Sequence, residues 1–461
     1  MSAQATTFDW DLIQRYNAAG PRYTSYPTAV QFTDAFCAAD YLEQADRSNA
    51  SGTPLSIYVH IPFCSHLCFY CGCNKIVTKN MGKADAYLER LLKEIALQGR
   101  IFDPVRPVKQ LHFGGGTPTF YDLPRIRQIL DAIELNFNLC REPDRDFSIE
   151  IDPRTVEPDT INGLHELGFN RMSIGVQDFD PAVQKAVHRI QSAEQTLSIM
   201  QAARDAQVGS VNVDLIYGLP LQSRSSLDTT IRAVIDADPD RICIFNYAHL
   251  PERFPPQRRI KDDELPSADE KLAMLQSTVD TLIGAGYRYI GMDHFAKPQD
   301  ELSLAQDQGH LHRNFQGYTT HAECDLVGIG VSSISSISDC YSQNHCGLDE
   351  YYRCIDKDQM PVSRGLSLDT DDRLRRHVIM QLMCFGTLDF GTVEEEYDIG
   401  FNDYFGSELL RLHDMEADGL LTLDSRQLSV TAAGWALVRN ISAVFDKYLA
   451  QTSNQRFSRF I

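Results

Sequence analysis

The chain has 461 residues, 43% hydrophobic and 23% charged, enough for one large core and a smaller second domain. Its formal net charge of −20 weighs against a nucleic-acid partner, because duplex binding depends on neutralising phosphates with basic side chains. The uncharged run 326–338 is too short to span a bilayer, no apolar leader is evident, and twelve cysteines without an export signal imply free thiols in a reducing, cytoplasmic setting.

Residues 1–50 carry no strand periodicity. The segment Gly20-Pro21-Arg22-Tyr23-Thr24-Ser25-Tyr26-Pro27-Thr28 holds two prolines and a glycine and reads as an extended arm. Its two tyrosines either pack the arm onto the protein or close it over a substrate, with Arg22 meeting an acidic group.

Next comes 56–74, SIYVHIPFCSHLCFYCGCN, with Cys64, Cys68, Cys71 and Cys73 spaced C-x3-C-x2-C-x-C. Ile57, Val59 and Ile61 alternate before them, so the cysteines sit on a loop leaving a buried strand. Thiolates this close converge on zinc, on an iron–sulfur cluster, or are scattered core residues. Structural zinc favours a second, distant knuckle, which is absent here. Three cysteines can hold three corners of a cubane and leave the fourth iron open.

From 55 to 296 short apolar strands alternate with amphipathic helices. The pattern predicts strands near 55–61, 108–113, 147–151, 170–176, 211–216 and 241–247, with a seventh at 287–292. Helices are predicted at 83–98, 122–136, 157–167, 181–187, 193–206, 225–236 and 267–285. Such alternation implies an α/β protein with parallel strands and right-handed crossovers, either a barrel or an open sheet. Polar residues gather at the strand ends: the turn Gly114-Gly115-Gly116-Thr117, then Glu150 and Asp152, Gln177 and Asp178, Asp214, and Asn246 to His249. Glycines let backbone N–H groups approach a carboxylate closely. A single strand-end acid is more often structural; four successive polar strand ends point to a ligand-lined cavity.

The CxxxCxxC loop after the first strand resembles the radical S-adenosylmethionine (SAM) superfamily. With Cys73, Asn74 and Lys75, and with GPRYTSYPT (20–28), HFGGGTPT (112–119), IEIDPR (149–154), GVQDF (175–179), DLIYGLP (214–220), FNYAHLP (245–251), GMDHFA (291–296), HRNFQGYTT (312–320) and FSR (457–459), the pattern resembles the oxygen-independent coproporphyrinogen III oxidase family over nearly the whole chain. The resemblance implies a partial (β/α)6 TIM-like barrel with an N-terminal extended arm. It implies a [4Fe–4S] cluster on Cys64, Cys68 and Cys71, and two SAM molecules per chain. Tyr58, Gly115, Glu150 and Ile334 match positions around the cluster-bound SAM. Tyr70, Gly116, Thr117, Gln177, Arg189, Asp214 and Ala248 match those around the second. Tyr58 and Cys73 are the catalytic candidates, Cys73 lying near the cluster without ligating it. The implied substrate is coproporphyrinogen III, whose carboxylates would meet Arg22, Lys297 or Arg313 while Tyr23 and Tyr26 lie against the macrocycle. A one-electron donor is required. The rival expectation is a haem-binding chaperone that keeps the barrel without the decarboxylase activity.

The expected domains are an arm (1–50), a barrel with a substrate-side cap (51–345), and a C-terminal helical lid (346–461). Periodicity is lost over 297–345. Helices near 369–385 and 403–417, strands near 420–424 and 427–430, and a helix at 431–449 read as winged-helix-like. DNA binding is disfavoured by its acidic residues, Asp403, Glu408, Asp414, Glu416, Asp418 and Asp424. No apolar stripe demands a partner, so a monomer is expected.

Overall fold

The computed structural model describes residues 7–16, 20–321 and 324–449. The FSR motif at 457–459 lies outside these residues. The chain divides into one unit of 32–285 and 323–367 and another of 1–31, 286–322 and 368–461.

The larger unit is built on strands whose alternate residues vanish from solvent. β1 (Leu55–Ile61), β2 (Pro107–Gly115), β3 (Asp146–Ile151), β4 (Arg171–Gln177), β5 (Ser210–Tyr217) and β6 (Arg241–Asn246) pair successively, all in parallel. Ile57, Leu111, Ile149, Ile174 and Val213 are fully buried, which fixes the register, since a one-residue slip would turn every core side chain outward. Helices Met81–Gly99, Leu123–Asn136, Pro158–Glu166, Ala193–Asp205, Arg224–Asp236 and Ala268–Gly284 link or follow these strands, close to the predicted spans. Several start on a side-chain cap: Asp122 accepts from Arg125 N, Ser192 from Gln195 N and Ser267 from Glu270 N.

On the other side of β1 the sheet continues through β7 (Asp325–Ile329), parallel to β1. It then runs antiparallel through β8 (Ile334–Ile337), β9 (Cys340–Asn344) and β10 (Val362–Ser367). The expectation of an aperiodic cap over 297–345 is therefore corrected, because 325–344 is sheet. Its Gly and Ser residues hide the strand pattern. Gly328 is required there, since a Cβ would lie 2.5 Å from the Ile334 carbonyl oxygen.

The unit boundaries also depart from 50 and 345. Helix Ala38–Ser51 packs on β8 to β10, and β10 pairs with β9, so both belong to the sheet unit. Residues 286–322 group with the C-terminal helices, and the seventh predicted strand is a short hairpin, Arg288–Gly291 with His294–Ala296. A ladder partner distant in sequence leaves no local signature.

The second unit holds helix Thr370–Phe385, helix Phe390–Tyr397 and an antiparallel sheet of Thr387–Asp389, Gln427–Val430 and Leu421–Leu423. Phe390 stacks on Phe401 at 4.0 Å in its core. The helix expected at 403–417 is broken into Phe401–Tyr404 and Gly406–Ala417, and that at 431–449 is a 3-10 turn, Gly434–Leu437, and a short helix, Val438–Ala443. Tight packing of Gly434 on the Leu420 carbonyl favours the turn. The arm is anchored within this unit. Tyr23 and Tyr26 are fully buried, Tyr23 donates to Asp446 Oδ2 at 3.0 Å, and Tyr26 accepts from Lys447 N at 3.1 Å. Packing rather than stacking on a ligand is thus their role, and Arg22 is ion-paired with Asp293. No described helix is long and apolar enough to cross a membrane.

One buried acid ties the first crossover helix to the β7–β9 extension. Glu94 accepts from Gly330 N (2.7 Å), Asn344 Nδ2 (2.8 Å) and the Tyr351 hydroxyl (2.5 Å), holding the turn that leads into Ile334. Burial pushes its carboxyl from 4.5 up to about 7, against these hydrogen bonds. The folded chain therefore keeps a proton that the unfolded chain releases. The resulting stabilisation is full below pH 4.5 and is lost as pH rises through about 7. Glu94→Gln should remove this dependence. Its unfolding free energy relative to the parent should rise by about 3 kcal/mol across that window, read by denaturant titration at several pH values.

Candidate functional site

The cysteine loop begins where β1 ends. Phe63–Cys64 pairs with Ile76–Val77, and Thr78 N donates to Cys64 O at 2.9 Å, so the loop is closed at its base. Its far side is tied by His188 Nδ1 to Leu67 O (2.7 Å) and by Phe69 N to Val187 O (2.9 Å). Cys64 and Cys68 are buried, Cys71 is half-buried and Cys73 exposed, all as free thiols.

Each of the three predicted ligands has its own electropositive neighbour. Thr117 Oγ1 donates to Cys64 Sγ at 3.4 Å. Arg154 Nη2 and Arg189 Nη1 donate to Cys68 Sγ at 3.4 and 3.7 Å. The Cys71 thiol is held below its usual range by a hydrogen bond with Cys73, against burial and with help from the Lys75 charge. Donors aimed at sulfur suit thiolates bound to metal.

The glycine turn approaches this loop with no room for side chains. Gly116 N donates to Ile61 O at 2.8 Å, and a Cβ on Gly116 would lie 2.6 Å from Pro62 O. Gly115, at φ +117°, donates its N–H to Glu150 Oε2 at 3.2 Å. Glu150 also meets His112 Nε2 at 3.3 Å, and its side chain keeps 43% of its surface exposed, so lone pairs remain for a cationic ligand. Tyr58 stacks on His112 at 5.7 Å and bonds His60 Nδ1 at 3.1 Å. Burial first, and then the charges of Glu150 and Cys73, raise its hydroxyl pKa, which places Tyr58, Glu150 and Cys73 at one locality. Ile334 opens β8 and is half-buried.

The remaining predicted residues lie along successive strand ends. Gln177 closes β4 in the left-handed region, φ +66°, at a register shift against β5. Its amide nitrogen and Arg189 Nη2 both crowd Gly175, whose carbonyl accepts from Arg189 Nη2 at 2.6 Å. Arg189 is 6% exposed, and its Nε is buried without a partner among the described residues. Asp214 accepts from Ser173 Oγ (2.8 Å) and Asn212 Nδ2 (2.9 Å), and burial pushes its carboxyl up to about 6. Asp178, by contrast, is a buried strut, bonded to Gln222 Nε2 (2.5 Å) and Thr230 Oγ1 (2.8 Å).

Sequence reasoning missed Gln257. Its buried amide donates to Tyr70 O at 2.9 Å and Ala248 O at 3.2 Å, fastening two predicted residues to each other. It sits in a 3-10 turn, Pro255–Arg259, and no motif marks it.

Comparison with known proteins gives this arrangement a class. The radical SAM superfamily model matches residues 58–234, the stretch that carries the cysteine loop, the glycine turn and β3 to β5. The HemN C-terminal domain model matches 368–437. An oxygen-independent coproporphyrinogen III oxidase of Pseudomonas aeruginosa is 52% identical over 454 residues, 98% of this chain and 99% of that protein. That of Escherichia coli K12 is 47% identical over 462 residues, all of both chains. The solved structure described as coproporphyrinogen III oxidase (HemN) from Escherichia coli, a radical SAM enzyme, superposes with a TM-score of 0.92 at 46% identity, covering 96% of this chain and 100% of that one. The chain belongs to the oxygen-independent coproporphyrinogen III oxidase family.

The expected ligand set separates the four thiols. On that set, serine at Cys64, Cys68 or Cys71 should lose most iron and all SAM cleavage, each removing one expected iron–sulfur bond. Cys73→Ser should keep near-normal iron and the brown absorbance while losing product. Iron analysis and anaerobic spectra of the four variants check this; equal iron loss in Cys73→Ser would mean that Cys73 is a ligand.

Proposed function

We propose that the chain converts two propionates of coproporphyrinogen III to vinyl groups by oxygen-independent oxidative decarboxylation, giving protoporphyrinogen IX in haem biosynthesis. The observation that carries the reading is the set of donors and cations around the sulfurs of Cys64, Cys68 and Cys71 beside a glycine turn, in a chain of this family.

Cys64, Cys68 and Cys71 would hold a [4Fe–4S] cluster beside the first SAM. When bound, cluster and SAM together would supply the one-electron chemistry that takes a hydrogen atom from the propionate β-carbon. Loss of carbon dioxide, with one electron passed to an external one-electron acceptor, would then leave the vinyl group. Glu150, with free lone pairs, binds a cationic part of the first SAM, while Tyr58, Gly115 and Ile334 enclose it. Buried strand ends exclude water and oxygen from this chemistry.

A second SAM lies against Tyr70, Gly116, Thr117, Gln177, Arg189, Asp214 and Ala248. The unpartnered Nε of Arg189 supports a carboxylate there. Among the predicted basic residues, Arg313 best fits a substrate propionate: it is 3% exposed, stacks over Tyr318 at 4.7 Å, and its Nε and Nη1 have no hydrogen-bond partner among the described residues. The parallel strands form a partial (β/α)6 barrel, and the C-terminal unit is winged-helix-like without being a DNA reader. The enzyme acts as a cytoplasmic monomer fed by a one-electron donor.

The decisive assay combines reconstituted protein, reductant, SAM and coproporphyrinogen III without oxygen. Protoporphyrinogen IX is the expected product; tight haem binding with no decarboxylation would favour the chaperone alternative instead. Arg189→Ala should lower bound SAM from about two to about one per chain with iron retained, measured by equilibrium binding. A single site in the parent protein would remove the second SAM.

A further inference from the structure

Cys68 is the ligand on which two guanidiniums converge. Beyond β3, the turn Pro153–Thr155 starts on Asp152, whose carboxylate accepts Arg154 N at 3.1 Å. The same carboxylate receives Arg154 Nε at 2.9 and 3.2 Å and Nη2 at 2.6 Å. From the other side it receives Arg189 Nη1 and Nη2 at 3.2 and 3.4 Å. Both guanidiniums also reach Cys68 Sγ. Two cations and one anion leave one net positive charge, largely out of water, at a single sulfur. The Cys64 sulfur has only the neutral Thr117 hydroxyl. The Lys75 ammonium is bonded to the Cys71 carbonyl oxygen, at 2.8 Å.

Of the two arginines, Arg189 has an unpartnered nitrogen and is the one assigned to a SAM carboxylate, which would cancel its charge. Among the described residues the Arg154 side chain donates to Asp152 and to Cys68 Sγ, and none of its nitrogens is buried without a partner.

We propose that Arg154 is a positioning residue that holds fixed positive charge on the Cys68 sulfur and so raises the reduction potential of the cluster. The proposal rests on the cluster assignment above. Reduction adds one negative charge to a cluster already carrying three thiolates. A cation about 3.4 Å from one of those sulfurs, in a low-dielectric setting, stabilises the reduced form more than the oxidised one. Arginine suits the position because its planar fork spans a carboxylate and a sulfur together, whereas a lysine ammonium is a single point donor.

The test is an EPR-monitored redox titration of reconstituted, iron-quantified protein. Arg154→Gln should bind the parent's amount of iron yet titrate at a more negative potential. At the parent's midpoint its reduced-to-oxidised ratio should fall about tenfold, which for one electron is about 59 mV. Arg154→Lys, which keeps the charge without the fork, should lie between the two. An unchanged midpoint in Arg154→Gln with full iron overturns the proposal. Should Arg154→Gln fail to take up iron, the neutral Arg154→Met decides, a more negative midpoint supporting the proposal and the parent's midpoint overturning it. A parent protein with no [4Fe–4S] signal overturns the functional reading itself, and the proposal with it.

Discussion

The buried carboxylate of Asp152 is the interaction on which the cysteine site depends. Two guanidiniums, from Arg154 and Arg189, lie against one sulfur, and like charges out of water repel strongly. Asp152 sits between them and satisfies both. Burial alone would raise its pKa, yet Arg189 and Arg154 overcome that and hold it at about 2. It is therefore an anion throughout the neutral range, and the arginines stay in place. The residue is there because β3 ends where it does, with Ile149 and Ile151 facing the core.

A second constraint is steric. The glycine turn must lie against the exit of β1 for its N–H groups and the cysteine loop to share one locality. The contact of Gly116 with Pro62 and that of Gly115 with His60 leave no space for a Cβ. The parallel register of β1 with β2, His60 opposite Gly114 and Ile61 opposite Gly115, brings the two turns to the same level. Glu150 on β3 then meets Gly115 from the next strand. Chemistry gathers at this end because all six strands point the same way, and so deliver their following loops together.

Residues with no chemical task hold the loops. Gln257 fastens Tyr70 to Ala248, and Gln222 and Thr230 hold Asp178. Glu94 ties helix Met81–Gly99 to the turn before Ile334. Each is a buried polar group whose hydrogen bonds are made within the unit. A side chain that lost one of these partners would leave another buried group unsatisfied, at a cost of about 1–3 kcal/mol.

What the sequence determined by itself is what local pattern encodes. Period-two burial marked β1 to β6, helical periodicity marked the crossovers, and the cysteine spacing and strand-end acids marked the site. Those signals survive because each depends on neighbours a few residues away. The tertiary structure alone decided that 325–344 is sheet, since its partner for Val327 is Ile57, some 270 residues earlier in the chain. It decided that Tyr23 and Tyr26 are anchors, because Asp446 and Lys447 lie at the other end of the sequence. It also decided which acid pairs with which base. Glu150 and Asp152 are two residues apart on one face, yet Glu150 faces a backbone N–H and His112 while Asp152 is enclosed by two arginines. No spacing rule separates them, because the difference lies in what the neighbouring strands bring to each carboxylate.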